Sequence, residues 1–229
     1  KGKTLFGYDR AKTAIREHDQ AVIVEGYFDV IILHQAGFTN TVAPMGTALG
    51  PSQVRLLTRQ SKRILMALDA DAGDSATMKG IDVIRETVKN EGTDEETANR
   101  PDDRVLLRQE NALRADIRVT QIPEGQDPDE VVLRDPNEWQ SILDHAKQIV
   151  TFRMETAAKG KDLRDAKAKS EIAAAVLPLI QEVSDQIERE TYLKQLAEFL
   201  QVEERTLIRS AAQAQKRAAE NLRPRDAFQ

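Results

Sequence analysis

Ala21-Val22-Ile23-Val24-Glu25-Gly26-Tyr27-Phe28-Asp29 reads as a short apolar strand that ends on a carboxylate, turns at a glycine and enters a segment with a second carboxylate. The same plan returns in Ile64-Leu65-Met66-Ala67-Leu68, followed by Asp69-Ala70-Asp71-Ala72-Gly73. Short continuous apolar runs are what strands buried on both faces of a parallel sheet look like. In such a sheet the carboxyl ends of the strands converge on the crevice where ligands bind. Carboxylates gathered there repel one another unless a hard cation lies among them. Mg2+ takes oxygen ligands of this kind, often with substrate phosphates. The two stretches therefore point to metal-assisted phosphoryl chemistry.

Working outward, Ala11, Ala14 and Ile15 share one face of a helix predicted at 9–18, ahead of the first strand at 20–25. A helix over 27–36 stops at Gly37. A strand at Thr41-Val42-Ala43 leads to the turn Pro44-Met45-Gly46-Thr47, and Pro51 opens another helix. A strand at 63–68 and a helix from about 73 to 90 complete a βαβαβα alternation, which is the pattern of a layered α/β fold. Residues 91–113 are polar and rich in turn formers, and read as a surface insertion. A fourth strand, Ile117 to Ile122, ends at a third acidic cluster, Asp127-Pro128-Asp129. Beyond Pro136 the pattern is helical throughout. Ile172, Val176, Ile180, Val183 and Ile187 make one stripe, in which Pro178 should kink the helix or divide it in two. Tyr192, Leu193, Leu196 and Leu200 make a second stripe, and Leu207, Ile208 and Ala211 a third. The expected organisation is an α/β domain at 1–136 and a small helical bundle with a tail at 137–229.

The chain has 229 residues, no cysteine and a net charge of −5, and the whole acidic excess falls in residues 1–136. Without cysteine there is no disulfide, no cysteine-held zinc and no thiol nucleophile, which suits a reducing cytoplasm. No apolar run approaches the roughly 18 residues of a membrane span, and the polar start shows no signal peptide. The chain begins at Lys1 rather than Met, so we expect a piece of a longer protein. A nucleic-acid protein usually carries a basic footprint, and neither half has one.

An acidic residue at a strand end is often only a helix cap or turn former. Three such clusters on one sheet weigh against that reading. Asp69 and Asp71 are also alternate residues, which face the same side of an extended segment. His18, His34 and His145 lack metal-ligand spacing and are assigned surface or packing roles. Trp139 is expected to pack the bundle. Residues 196–210 read as helix-turn-helix or, equally, as a bundle corner.

Glu25-Gly26-Tyr27-Phe28-Asp29, Gly46-Thr47-Ala48-Leu49 and Asp69-Ala70-Asp71-Ala72-Gly73 together resemble the signature of the Toprim family, the metal-binding module of bacterial primases, topoisomerases and some nucleases. Within that family the pattern is most similar to the bacterial replicative primases. Asp127-Pro128-Asp129, the opening Lys1-Gly2-Lys3-Thr4-Leu5-Phe6-Gly7 and the helix Tyr192 to Leu200 share in the likeness. Ala70 stands where the family more often has glycine, and the stretch 91–113 is longer than expected.

The resemblance implies a Toprim-type, Rossmann-like parallel sheet followed by a small all-α bundle. It implies template-directed joining of ribonucleoside triphosphates into short RNA primers on single-stranded DNA. Two or more Mg2+ or Mn2+ ions would serve the reaction, with no zinc in this segment. Glu25, Asp69 and Asp71 would be catalytic metal ligands, although Glu25 could equally be the general base. Asp29, Asp127 and Asp129 would hold a second or nucleotide-bound ion. Lys1, Gly46 and Thr47 would contact phosphate. A replicative helicase would dock on a domain absent here, and a zinc module and a basic subdomain would also be missing, so this segment alone would prime weakly or not at all. The alternatives are a Toprim nuclease or topoisomerase fragment, or a metal-binding module used only for protein interaction. A topoisomerase needs a nucleophilic tyrosine, and Tyr8, Tyr27 and Tyr192 lack a suitable setting.

Overall fold

The computed structural model describes residues 2–45, 49–68, 79–87, 116–123, 125–183 and 185–209. They form two compact units that divide after Ile149. The first is built on a six-stranded sheet in the order β1-β3-β2-β4-β5-β6. Its strands are β1 (Leu5–Phe6), β2 (Gln20–Ile23), β3 (Thr41–Pro44), β4 (Arg63–Leu68), β5 (Asp116–Gln121) and β6 (Lys147–Gln148). The four central strands run parallel, with β2 between β3 and β4 and with β5 beyond β4. Two antiparallel strands of two residues each, β1 and β6, close the edges. The expected parallel sheet is thus mixed at its rims.

The helices of this unit are α1 (Tyr8–His18), α2 (Tyr27–Gln35), α3 (Pro51–Thr58), α4 (residues 79–87), α5 (Pro128–Arg134) and α6 (Pro136–Asp144). Side chains alternate between the faces of a strand, and here both faces are buried. Val22, Val24, Ala43, Leu65 and Ala67 form one core with Val30 and Leu33 of α2, Val131 and Val132 of α5, and Trp139 and Leu143 of α6. The opposite residues, Ala21, Ile23, Ile64 and Met66, are equally buried. Gly80 of α4 lies so close to Met66 on that side that an added Cβ would approach its Cε to 2.8 Å. This burial on both faces explains the unbroken apolar runs.

Trp139 therefore belongs to the core of the first unit and not to the helical bundle. It is fully buried, with Phe38 meeting its ring edge-on at a centroid distance of 6.5 Å. Helix α6 starts at Pro136, with the Asp135 carboxylate capping the Asn137 N–H at 2.9 Å. Gly7, ahead of α1, adopts φ +79° and also sits where a Cβ would come within 2.7 Å of Val30 Cγ1, so glycine is required twice over.

The second unit comprises α7 (Ile149–Ala158), α8 (Ala166–Gln181), α9 (Gln186–Leu200) and a short helical stretch at 204–209. Helices α8 and α9 pack together. Ile172, Val176 and Ile180 are buried from α8, and Tyr192, Leu196 and Leu200 from α9. Helix α8 runs unbroken through Pro178, although that residue has no N–H to offer the Ala174 carbonyl. Its stripe ends at the C-terminus of α8. Ile187 lies in the first turn of α9 and is 77% exposed, contrary to the stripe that its spacing suggested.

Candidate metal centre

Strands β2, β4 and β5 are parallel neighbours, so their carboxyl ends share one edge of the sheet. Glu25 follows β2 at this edge. Ile23 is paired with Met66, so the register carried two residues on brings Glu25 level with Leu68, the last residue of β4. Asp69 and Asp71, which follow Leu68, lie outside the described residues, as do Lys1, Gly46 and Thr47.

From Gly26 the chain enters α2. Asp29, in the first turn, is 8% exposed, and its Oδ2 accepts the Gly26 N–H at 3.0 Å. A Cβ at residue 26 would lie 2.7 Å from that same oxygen. Glycine at 26 is thus a matter of space, since its φ of −96° is open to any residue. The carboxylate closes the N-terminus of α2 and is also favoured there by the helix dipole. Asp29, expected as a metal ligand, caps α2 through its Oδ2.

On the far side of β4, Asp127 is the N-cap of α5 and Pro128 its first residue. Asp135, Asp165 and Asp185 hold the same position on their helices, and each accepts a backbone N–H at 2.8–3.0 Å. Asp127 makes no such bond. The bland explanation of a strand-end aspartate, an N-cap, thus fails for its side chain, which is exposed. Among the described residues Asp129 accepts only the N–H of the next residue, Glu130, at 2.9 Å. Helix α2 packs directly against α5. Both helices follow parallel strands, so the first turns bearing Asp29 and Asp129 lie at the same edge of the sheet.

These oxygen donors suit a hard divalent cation and offer nothing to a thiophilic one. Among the described residues no three His, Asp or Glu side chains are gathered closely enough to hold an ion. The described part thus carries Glu25 with Asp29 on one side of the end of β4 and Asp127 with Asp129 on the other. The gap between them is the end of β4, which leads into Asp69-Ala70-Asp71.

Beside Glu25, Phe28 is 77% exposed and Ile31 41%, while Tyr27 stacks on Phe6 with centroids 4.8 Å apart. The sequence reading passed over this apolar surface, and α2 gave little sign of it because apolar residues occupy most of its turns. His34, assigned a packing role, is half-buried and hydrogen-bonds the Thr41 carbonyl at 2.8 Å. No helix of the described residues is long and apolar enough to cross a membrane.

Residues 19–94 match the Toprim domain, and residues 150–205 match a family described as the DnaB-helicase binding domain of primase. A DNA primase of Synechocystis sp. is 34% identical over 214 residues, covering 91% of this chain and 30% of the relative. The crystal structure of a DNA primase domain from Pseudomonas aeruginosa superposes with a TM-score of 0.67 at 25% identity, over 92% of this chain and 60% of that one. The RNA polymerase domain of Mycobacterium tuberculosis primase, solved with double-stranded DNA, gives 0.63 at 26% identity, over 87% and 57%. The chain spans about 30% of the length of the curated relatives it matches. The family described as the DnaB-helicase binding domain of primase covers most of the second unit.

Proposed function

We propose, taking the chain as a segment of the bacterial DNA primase family, that it supplies the metal-binding part of a primase that joins ribonucleoside triphosphates into short RNA primers on single-stranded DNA. The observation that carries this reading is the shared sheet edge, where Glu25 and Asp127, whose side chain makes no capping bond, flank the strand that leads to Asp69 and Asp71. Glu25, Asp69 and Asp71 hold the ions, and Asp127 and Asp129 hold the ion that arrives with the nucleotide. Asp29 acts on the same chemistry from behind, because its bond to the Gly26 N–H fixes the turn that presents Glu25. Bound Mg2+ supplies neutralisation of the charge that develops at the α-phosphate as the primer 3′-hydroxyl attacks. Lys1, Gly46 and Thr47 contact the triphosphate. The second unit, from its match, is the side on which a replicative helicase docks.

The test is a template-dependent priming assay on the full-length protein, comparing wild type with Asp69→Ala. Loss of priming with an unchanged fold is expected, and an active Asp69→Ala protein refutes the assignment. In crystals soaked with Mn2+, an ion is expected within about 2.5 Å of oxygens of Glu25, Asp69 or Asp71, the range of hard-cation coordination. Ions found only elsewhere count against the site. We expect this segment by itself to prime weakly, and robust primer synthesis by it alone would overturn that part of the reading.

A further inference from the structure

Arg134 ends α5, the helix that Asp127 and Asp129 begin, and its side chain spans both ends of it. Helical side chains lean toward the N-terminus, so a guanidinium at the last turn reaches back along the helix. One of its nitrogens donates to Gln126 Oε1 at 2.9 Å, and Gln126 immediately precedes Asp127. The guanidinium also grips Glu138 of α6 through both carboxylate oxygens, at 2.7–2.9 Å. Helix α6 is anchored in the core by Trp139, the residue after Glu138. The result is a strut from the rigid part of the unit to the acidic turn. Among the described residues the turn is also tied by the Gln126 N–H to the Pro123 carbonyl at 3.1 Å and by the Val131 N–H to the Asp127 carbonyl at 3.1 Å, and Gly125 in it is left-handed (φ +74°).

We propose that Arg134 is a positioning residue for the Asp127–Asp129 turn, acting through Gln126 to hold it ready for a divalent cation. The inference rests on the metal reading of that turn. Glu138 already balances the charge of Arg134, so the strut adds no net positive charge to compete with an ion. It also needs an arginine. A planar guanidinium serves Gln126 and both Glu138 oxygens at once, whereas a lysine offers a single ammonium point.

The experiment uses this chain with Mn2+ as the probe, and it has two readouts that do not depend on priming. In the metal-free chain, Arg134→Met and Gln126→Ala should each speed hydrogen exchange at the backbone amide of residue 126 several-fold relative to its intrinsic rate. Each should also weaken Mn2+ affinity by about 3- to 10-fold, at or below the low end of what partners behind metal ligands contribute. The double variant should match the single ones, because the two residues form one device. Arg134→Lys should not restore affinity. Unchanged exchange and affinity in Arg134→Met, or additive losses in the double variant, overturn the proposal. If Arg134→Met fails to fold, Gln126→Ala against wild type decides by the same two readouts. Asp127→Asn separates the two levels. If it weakens Mn2+ binding and Arg134→Met does not, only the strut is wrong. If Asp127→Asn itself has no effect, the metal reading of the turn falls and the strut with it.

Discussion

Replacing Gly26 by alanine tests whether the turn after β2 is built around the Asp29 carboxylate. The backbone itself raises no objection, because φ at residue 26 is −96°. The obstacle is a single contact: the new Cβ would lie 2.7 Å from Asp29 Oδ2, the atom that accepts the Gly26 N–H. Either the carboxylate swings away or the turn shifts, and both break that bond. A hydrogen bond to a charged group is worth about 1.5–3 kcal/mol, and Asp29 is 8% exposed, so solvent replaces little of it. At roughly 2–4 °C per kcal/mol for a chain of this size, the melting temperature of the first unit should fall by about 3–12 °C.

The decisive measurement is a double-mutant cycle with Asp29→Ala, followed by urea denaturation. Without the carboxylate the added methyl group meets open space, so Gly26→Ala in that background should cost under about 1 kcal/mol, the difference between glycine and alanine as N-caps. A coupling of at least about 1 kcal/mol is expected. Losses that add to within about 0.5 kcal/mol, the range seen for independent sites, would refute the account.

Trp139→Ala should destabilise the first unit by about 3–5 kcal/mol, as large aromatic truncations in cores do; a loss confined to the second unit would restore the bundle assignment. Gly7→Ala combines a left-handed φ with a 2.7 Å approach to Val30 and should cost more than about 1–2 kcal/mol in chemical denaturation. In the second unit, a hydrogen bond from Arg164 lowers the Asp162 pKa, and one from Lys161 lowers that of Glu171. The folded state then binds fewer protons than the unfolded one, so the small stability they add is present above the ordinary carboxylate pKa. It is lost as pH falls through the depressed values. Lys161→Ala should return the Glu171 titration, followed by NMR, toward the ordinary range.

The central sheet was legible because burial on both faces leaves a plain mark. Strand 63–68 was read with the bounds it has, and 20–25, 41–43 and 117–122 fell within two residues of theirs. The edge strands were not legible. Leu5–Phe6 and Lys147–Gln148 are each too short to show an alternation, and their pairing is decided by partners distant in sequence. Trp139 was misread for a related reason, since the amphipathic spacing of α6 shows that one face is buried but not against what. At the candidate site, the sequence singled out acidic residues after strands but could not sort them by role. Asp29, three residues after Gly26, has the spacing of a carboxylate that reaches back to the N-cap N–H, so that role was available in the sequence. Asp127 shows the opposite case, because only the structure reveals a cap position whose side chain does not cap.

The pairing of β4 with β5 has a consequence for how the protein is made. Arg63 stands opposite Asp116, so residues on either side of a long excursion must meet before the sheet has its fourth parallel strand. Closing such a loop costs entropy that grows only logarithmically, about 0.6 kcal/mol per doubling of its length. The excursion can therefore lengthen in relatives with little loss of stability. Its burden is kinetic instead. Distant pairings form late, and a chain emerging from the ribosome can assemble β2, β3 and β4 long before β5 arrives. Until then one side of β4 is an open parallel edge. An unpaired strand edge exposed through that interval is the cost of pairing strands so far apart in sequence.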